Sequence, residues 1–540
     1  MRSILGTAAL LAAVCSKAAF AQDNATEPTS IFKTRPHSRA PALNVTIQDG
    51  FSNGYIFMSP YQASASGPYI YDKFGNLVWD GYGAIGAANT HNFHVCQYQG
   101  SDHLCMMVGN QQEGYAYGMG IIVDSDYRIV ASVQSGDNLT PLDMHEFWLA
   151  EGGETALITA YNIIPVDLSY PPYDVMSQQA YLTEGVFQEI NITTGQVLFE
   201  WFSTNHVDIR DTRILPHTTD VGGDGYTPNT PFDYFHINSV EKSTNTGDYL
   251  ISARHTSTIY SINATDRSII WRLSCTGTDA PQPSDFECQN FNFSMQHDAR
   301  FRSENDTHTV LSIFDNASNG LNKTALQSSG MLISLDHAAG TASLLSQTFA
   351  PPPDGILSDS QANSQHLPNG NIFHGWGSIG AVSEHAPDDS GAYQPVLFAT
   401  FADLSMPGSV MNYRAFSAEW QSTPSHTKPA VYSFALNDTS PNSIYVSWNG
   451  ATTVARWNFY GADAIGDPFE AIGGKGREGF ETVFEAERFW RWVMVEAVGP
   501  DGASLRNSSF QPVFVPSEGL VGACDLSGCL VSMQAYEEDG

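Results

Sequence analysis

His236-Ile237-Asn238-Ser239-Val240-Glu241-Lys242-Ser243-Thr244-Asn245-Thr246-Gly247-Asp248-Tyr249-Leu250-Ile251-Ser252-Ala253-Arg254-His255 decides the fold. A histidine opens an apolar strand, a polar turn follows at Ser243 to Asp248, and a second apolar strand runs back to Arg254. The unit recurs. His94 precedes the pair spanning Gln97 to Asn110, His145 that of Glu146 to Asn162, His297 that of Asp298 to Asn316, and His366 that of Leu367 to Ser378. Successive copies are 51 to 91 residues apart, too loose for a solenoid and suited to propeller blades with inserted loops. Between them, strand–turn–strand units end in tryptophan: Asp72 to Trp79, Asn191 to Trp201 and Asn263 to Trp271. Almost no stretch has helical amphipathic period. The expected fold class is all-β, a β-propeller over residues 45–423. The innermost strand of each blade lines a central channel, so His94, His145, His236, His297 and His366 are expected to converge there. Trp148, Trp201 and Trp271 read as blade-packing residues.

Past residue 424 the pattern changes. Lys428 to Trp457 alternates evenly between Pro and Asn-Gly turns and carries no histidine repeat. This predicts a separate, non-catalytic β-sandwich of immunoglobulin or fibronectin-III type over 424–520, followed by a tail over 521–540. Residues 22–44 form an N-terminal segment.

The first 21 residues read as a signal peptide: Arg2, an apolar run from Ile4 to Val14, and Ala19-Phe20-Ala21 as a small-x-small cleavage site. The run is too short to span a bilayer and no other apolar stretch reaches 18 residues, so a secreted, extracellular protein with no membrane partner is expected. A formal net charge of −33 repels nucleic acid and anionic lipid, which removes both as partners. Cys15 leaves with the signal. The other six cysteines are expected to form three local disulfides, Cys96 with Cys105, Cys275 with Cys288 and Cys524 with Cys529, although sequence permits 15 pairings. Eleven sequons predict a glycoprotein: Asn24, Asn44, Asn138, Asn191, Asn263, Asn292, Asn305, Asn316, Asn322, Asn437 and Asn507. Asn292 and Asn316 lie close to the candidate site and are expected to be unused.

Gly81 to Gly86 and Gly375 to Gly380 both match GxGxxG, but neither opens a helix inside a βαβ unit, so no dinucleotide cofactor is expected. The chemistry concentrates instead in Asp143-Met144-His145-Glu146, in Asp233-Tyr234-Phe235-His236-Ile237-Asn238, in Arg254-His255 and in Gln296-His297-Asp298. His236 and Asn238 are two apart and face the same way on a strand. Arg254 returns to that end of the hairpin. A guanidinium, an amide and imidazoles together suit a tetrahedral oxyanion. Asp298 points away from His297 on a strand, and no residue is assigned to fix the His297 tautomer. His94, His366 and His374 are pocket lining at most, and a metal at the histidine cluster is a weak option.

These segments resemble the arylsulfotransferase family, in particular its fungal secreted branch. The resemblance spans about residues 45 to 420. It is most specific over Phe232 to Val240, Gly247 to Ser257, Ile269 to Leu273 and Met295 to Phe301. It implies a six-bladed propeller and an enzyme, a transferase that moves a sulfuryl group between phenolic compounds without a nucleotide donor. It implies His297 as the nucleophile that carries the sulfuryl group, with His236 and Asn238 as an HxN pair, Arg254 as the sulfuryl-binding arginine and His145 as a further catalytic histidine. A protonated His236 is expected to share the sulfuryl charge with Arg254. No cofactor and no metal are implied, and the partner is a small phenolic or aromatic substrate. Two other functions fit the same pocket: a secondary-metabolite enzyme that cyclises a phenolic or quinone-methide intermediate, and a non-catalytic propeller that binds a glycan or an aromatic ligand. The oligomeric state, donor and acceptor are not legible.

Overall fold

Alternating apolar positions, cut every few residues by Gly, Asp and Asn, produce strands and almost no helix. The computed structural model describes residues 27–85, 88–173, 179–216, 222–276, 283–351, 355–525 and 528–529. The signal sequence with Cys15, the sequon Asn24 and most of the tail lie outside the described residues.

Six sheets follow one another along the chain, each built on four antiparallel strands; the fifth adds Glu287–Gln289 in parallel at its edge and the sixth adds Asn44–Gln48. The second runs through Asn89–Tyr98, Ser101–Gln111, Ala116–Val123 and Ile129–Val133. The third runs through Phe147–Ala150, Thr155–Val166, Ala180–Asn191 and Val197–Phe202. The fourth contains the opening segment of the analysis: Ile237–Lys242, Tyr249–Ala253, Thr258–Ile262 and Ile269–Leu273. The fifth starts at His297–Glu304 and the sixth at Asn363–His366. The first sheet is assembled from both ends of the repeat: Tyr55–Met58, Tyr69–Asp72 and Leu77–Asp80 take Phe416–Ala418 as their partner strand. Each sheet touches the next, and the sixth meets Phe416–Ala418, so the series closes on itself. This all-β arrangement is consistent with a β-propeller-type fold.

Three first strands carry the same irregularity where they begin. Register slips between His91 and His94, between Ile237 and Ser239, and between His297 and Arg300. Asn92, His236 and Asp298 sit there with φ of 59°, 55° and 55°, a left-handed conformation that residues with a Cβ rarely adopt. A bulge with a left-handed residue bends the strand and re-aims its side chains. Here it turns one imidazole and the next polar side chain toward the same axis.

One residue further along the strands lies a buried charge network. Glu146 accepts from Arg300 (2.6 Å), Arg414 (3.0 Å), Asn92 (3.1 Å) and the Val240 N–H (3.0 Å). Asp298 accepts from Arg300 Nε (2.9 Å) and the Ser364 N–H (3.1 Å). Arg414 also donates to the Asn238 carbonyl (2.7 Å). Two carboxylates and two guanidiniums pair here, with Glu241 also acting on Arg300; their bonds reach the second, fourth, fifth and sixth sheets, and Glu146 and Arg414 themselves stand just ahead of Phe147–Ala150 and Phe416–Ala418.

Beyond residue 424, Ala430–Phe434, Ser443–Ser447 and Thr482–Glu485 pair in one sheet, while Arg456–Ala462, Glu470–Gly476, Trp492–Val498 and Ser504–Asn507 pair in another. Their inward positions, Trp448, Trp457, Phe459, Trp490, Val493 and Val495, make a separate core. This segment is tied back to the second sheet by Tyr127, whose hydroxyl donates to the Gly450 carbonyl at 2.8 Å. Gly450 has φ of 85°, and a Cβ there would lie 2.3 Å from the Tyr127 ring, so only glycine fits.

All three expected disulfides form. Among the described residues no helix is long and apolar enough to cross a membrane. Of the described sequons, Asn316 is fully buried with its amide nitrogen donating to the Ser358 and Gln361 carbonyls, so the folded protein has no room for a glycan there. Asn292 is exposed.

Candidate functional site

His145, His236 and His297 stand at the beginnings of the first strands of the third, fourth and fifth sheets, where the bulges and turns aim them inward. All three are at least 97% buried. Ring centroids of His145 and His236 are 4.7 Å apart, and those of His236 and His297 6.3 Å. Arg254 follows the strand that pairs with Ile237–Lys242, and its N–H donates to the His236 carbonyl at 2.9 Å, which fixes it beside that imidazole. Four of the five candidates, His145, His236, Arg254 and His297, thus lie together. Asn238 lies one step deeper: its Nδ2 donates to the Gln296 carbonyl at 2.8 Å and its Oδ1 has no partner among the described residues.

The expected convergence of His94 and His366 does not occur. His94 stacks flat on Trp148, 4.4 Å between centroids, and its Nδ1 faces the Asn92 carbonyl. The bulge at Asn92 shifts the phase, so His91 takes the ring position. His366 ends its strand, three residues beyond the strand's start, and lies near Arg302. His374 packs in the second strand of the sixth sheet and bonds Thr348 at 2.7 Å.

The nitrogen on the far side of each ring decides the chemistry. His145 Nδ1 is 2.5 Å from the Asp143 carboxylate, which also accepts from the His145 N–H at 2.9 Å and from Thr159 Oγ1 at 3.2 Å. His236 Nδ1 is 2.5 Å from Asp233. His297 Nδ1 is 2.7 Å from Asn316 Oδ1. The Asn316 Nδ2 is committed to two carbonyls, so Oδ1 must be the atom that faces His297, and Nδ1 must carry the proton. In all three rings Nδ1 faces an oxygen acceptor, which leaves Nε2 on the other side of the ring. At His297, Nε2 accepts from the Gln361 N–H, at 3.2 Å.

Burial, the Arg254 charge and the His145 ring hold His297 well below the usual imidazole range, with the Asn316 bond opposing. Burial, with His255, His145 and Arg254, does the same to His236. Burial and the neighbouring His255, His145 and Arg254 therefore work against the expected protonation of His236, whose Nδ1 faces the Asp233 carboxylate. Arg254 is held by His255 Nε2 (2.6 Å) and the Asp359 carbonyl (3.1 Å), and His255 Nδ1 by the Asp233 carbonyl (2.5 Å).

Asp233, His236 and His255 bring three donor atoms within 4.8 Å of one another, the pattern of a metal cluster. Two atoms bound to one ion at about 2 Å each lie about 3 Å or more apart. The 2.5 Å between Asp233 and His236 is a hydrogen-bond distance instead.

Three residues of the site escaped the sequence. Tyr413 packs against His145 (5.3 Å) and His297 (6.5 Å), and its hydroxyl donates to the carbonyls of His145 and Asn238. Asn316 orients His297. His91 is fully buried beside Tyr61 (4.9 Å) and Tyr413 (6.3 Å). A signal for two of them was present. His91-Asn92, His145-Glu146, His297-Asp298 and Tyr413-Arg414 are each an aromatic ring residue followed by a polar residue of the charge network.

Removal of the Asn316 amide frees His297 to rotate or to place its proton on Nε2. Asn316→Ala is expected to slow turnover about 10- to 100-fold, the worth of one buried hydrogen bond of about 1–3 kcal/mol, with the protein still folded by circular dichroism. Asn316→Asp places a carboxylate at Nδ1 and is expected to raise the His297 pKa, read as movement of its imidazole resonances to higher titration pH.

A family model described as arylsulfotransferase (ASST) matches residues 94–396, more than half of the chain. The comparison with curated proteins gives no match. Among solved structures, a Bacteroides caccae protein of unknown function is 12% identical, with 67% of this chain and 98% of that one covered, at a TM-score of 0.36. The Pseudomonas aeruginosa periplasmic gluconolactonase PpgL is 11% identical over 86% of this chain and 98% of its own, at a TM-score of 0.23. A hypothetical selenium-binding protein from Sulfolobus tokodaii is 9% identical over 86% and 97%, at 0.31.

Proposed function

The chain belongs to the arylsulfotransferase family, and from that premise we propose that it transfers a sulfuryl group from an aryl sulfate to a phenol through a sulfo-histidine at His297. The observation that carries this reading is the His297 imidazole. Burial and the Arg254 charge push its pKa down, Asn316 Oδ1 accepts from Nδ1, and Nε2 is left with its lone pair toward the Gln361 N–H.

Two half-reactions balance. The Nε2 lone pair attacks sulfur; the N–S bond forms as the S–O bond to the aryl group breaks, and the aryl oxide leaves with the electron pair. Arg254 offsets charge on the sulfuryl oxygens, and the Gln361 N–H, displaced from Nε2, lies next to them. The acceptor phenol then gives its proton to His145 Nε2, whose imidazolium Asp143 stabilises, and its oxygen takes the sulfuryl group as the N–S bond returns its pair to Nε2. His145 then releases its proton to water, from which the departed aryl oxide takes one up. The choice of partners separates the roles: carboxylates behind His145 and His236 favour carrying a proton, whereas an amide behind His297 favours keeping a lone pair. Asn238 supports the site through the Gln296 carbonyl.

In this reading the six sheets are blades of one six-bladed propeller over residues 45–423, and 424–520 is a β-sandwich beside it. Three disulfides support a secreted, glycosylated protein, with glycans on exposed sequons such as Asn44, Asn138 and Asn437. No nucleotide donor, cofactor or metal takes part.

Purified protein incubated with 4-nitrophenyl sulfate is expected to release 4-nitrophenol and, in the absence of an acceptor, to gain one sulfuryl group by intact mass. Neither release nor adduct would leave the cyclisation and ligand-binding functions as the better readings. Because burial lowers the His297 and His236 pKa, the nucleophile stays neutral as pH falls through 6.5. The pH profile of kcat/KM is therefore expected to stay flat from 7 to below 6.5. Halving of the rate already at pH 6.5 contradicts the neutral imidazole. The same shifts make folding less favourable in acid, since the unfolded chain binds the protons that the buried rings refuse, so the profile is taken with a parallel check of fold.

A further inference from the structure

His91 is a buried imidazole that the sulfuryl chemistry does not use. It is fully buried, yet neither Nδ1 nor Nε2 has a hydrogen-bond partner among the described residues. The Gln111 amide lies beside the ring without completing a bond of good geometry. A neutral imidazole carries one donor and one acceptor, and leaving both unmade in a buried place is unfavourable. His91 also occupies the same register as His297. Each is followed by a left-handed residue that enters the charge network, and each precedes a slip of the same size, from His91 to His94 and from His297 to Arg300. The fold thus aims His91 at the channel as it aims the nucleophile.

The neighbours of His91 share its unmet polarity. Tyr61, 4.9 Å away edge to face, gives its hydroxyl to the Met411 sulfur at 3.6 Å. Gln361 lies beside that hydroxyl, and its Oε1 has no partner among the described residues. The backbone N–H of the same Gln361 is the group on His297 Nε2. Tyr413 packs against both His91 and His297, at 6.3 and 6.5 Å. An arc of aromatic faces with unpaired polar atoms therefore runs from the sulfuryl-accepting nitrogen to His91.

We propose that His91, Tyr61 and Gln361 form a second polar subsite that takes a further oxygen group of the aromatic substrate, so that the protein selects phenols bearing a second hydroxyl over simple phenols. This rests on the reading of the pocket as a phenol site. A donor–acceptor imidazole with an amide oxygen suits a hydroxyl, which both gives and accepts a hydrogen bond. Tyr61 and Tyr413 supply faces for the ring between the two oxygens. A site built to bond a hydroxyl rejects the analogue that lacks it, because its own polar atoms are then left unpaired.

The test is binding to the full-length protein, by calorimetry, of phenol, catechol, resorcinol and hydroquinone, with His91→Phe as the variant. In wild type the best of the three diols is expected to bind at least tenfold more tightly than phenol, and His91→Phe is expected to bring that ratio within threefold of one. A wild-type ratio below threefold overturns the proposal, since the nitrogens then hold ordered water only, and it does so even if the variant fails to fold. A ratio that His91→Phe leaves intact also overturns it, because a merely structural role would weaken all four ligands alike. Binding needs no turnover, so this outcome is independent of the sulfuryl-transfer assay: diol selectivity without 4-nitrophenol release would sink the transferase reading and keep the subsite.

Discussion

His297→Ala protein is expected to release 4-nitrophenol from 4-nitrophenyl sulfate at least about 10³-fold more slowly than wild type, and to carry no sulfuryl adduct. The size follows from what the side chain does. A positioned nucleophile replaces a bimolecular encounter with water by attack from within the complex, and nothing nearby can substitute. His145 and His236 also present Nε2 inward, but each donates Nδ1–H to a buried carboxylate, which suits a proton carrier. Their geometry is fixed by neighbours of their own. The comparison variant is His145→Ala, which is expected to keep formation of the adduct and to slow its transfer to an acceptor phenol, because the base acts in the second half-reaction only. Rapid-quench mass analysis separates the two. Equal background release from wild type and His297→Ala defeats the transferase reading, whereas an adduct that persists in His297→Ala moves the nucleophile to another ring.

Much of this site could be read from local pattern, and the exceptions share one physical cause. His145, His236, Arg254 and His297 were legible because each stands where a turn meets a strand, and strand ends in a repeated sheet return to the same place. His94 was the wrong member of its pair. Period-2 reasoning assumes a regular strand, and the left-handed Asn92 inserts a slip that no hydrophobic pattern announces. His366 failed for a related reason: it ends its strand, so the same apolar run placed it at the wrong level of the channel. Asn316 drew attention only as a sequon. Its partner His297 is 19 residues away across a hairpin, a contact that pairing register creates and sequence distance conceals. The carboxylates Asp143 and Asp233 sat inside the recognised motifs, two and three residues before their histidines. Their role depends on a turn that doubles back on itself. The all-β class needed only composition and turn spacing, whereas the charge network needed all six sheets at once.

That network carries the second large expectation. Glu146→Gln is expected to destabilise the protein by about 3–5 kcal/mol, the cost of breaking a buried ion pair from one side. Glu146 is fully buried between Arg300 and Arg414, and their charges, with the Val240 N–H, hold its carboxyl below the usual range despite the opposing effect of burial. The glutamine fits the space, so no cavity forms. What changes is charge. Two guanidiniums then keep Asp298, with Glu241 acting on Arg300 only, and the amide's NH₂ group points a donor at donors. Unfolding by denaturant, followed by aromatic fluorescence, reads the change as a lower midpoint. Since the chain has more than one core, the shift is assigned to the sheet that contains Trp148, whose ring Arg300 covers at 5.0 Å, by hydrogen exchange. The double variant Glu146→Gln with Arg300→Gln restores charge balance and is expected to be less destabilised than the sum of the two single changes, with a coupling of about 1–3 kcal/mol. Additive losses would mean that the carboxylate and the guanidinium act on the fold separately. Bonds from Glu146 and Asp298 to each neighbouring sheet would then be packing contacts only, and the ring of histidines above them would owe its geometry to the bulges alone.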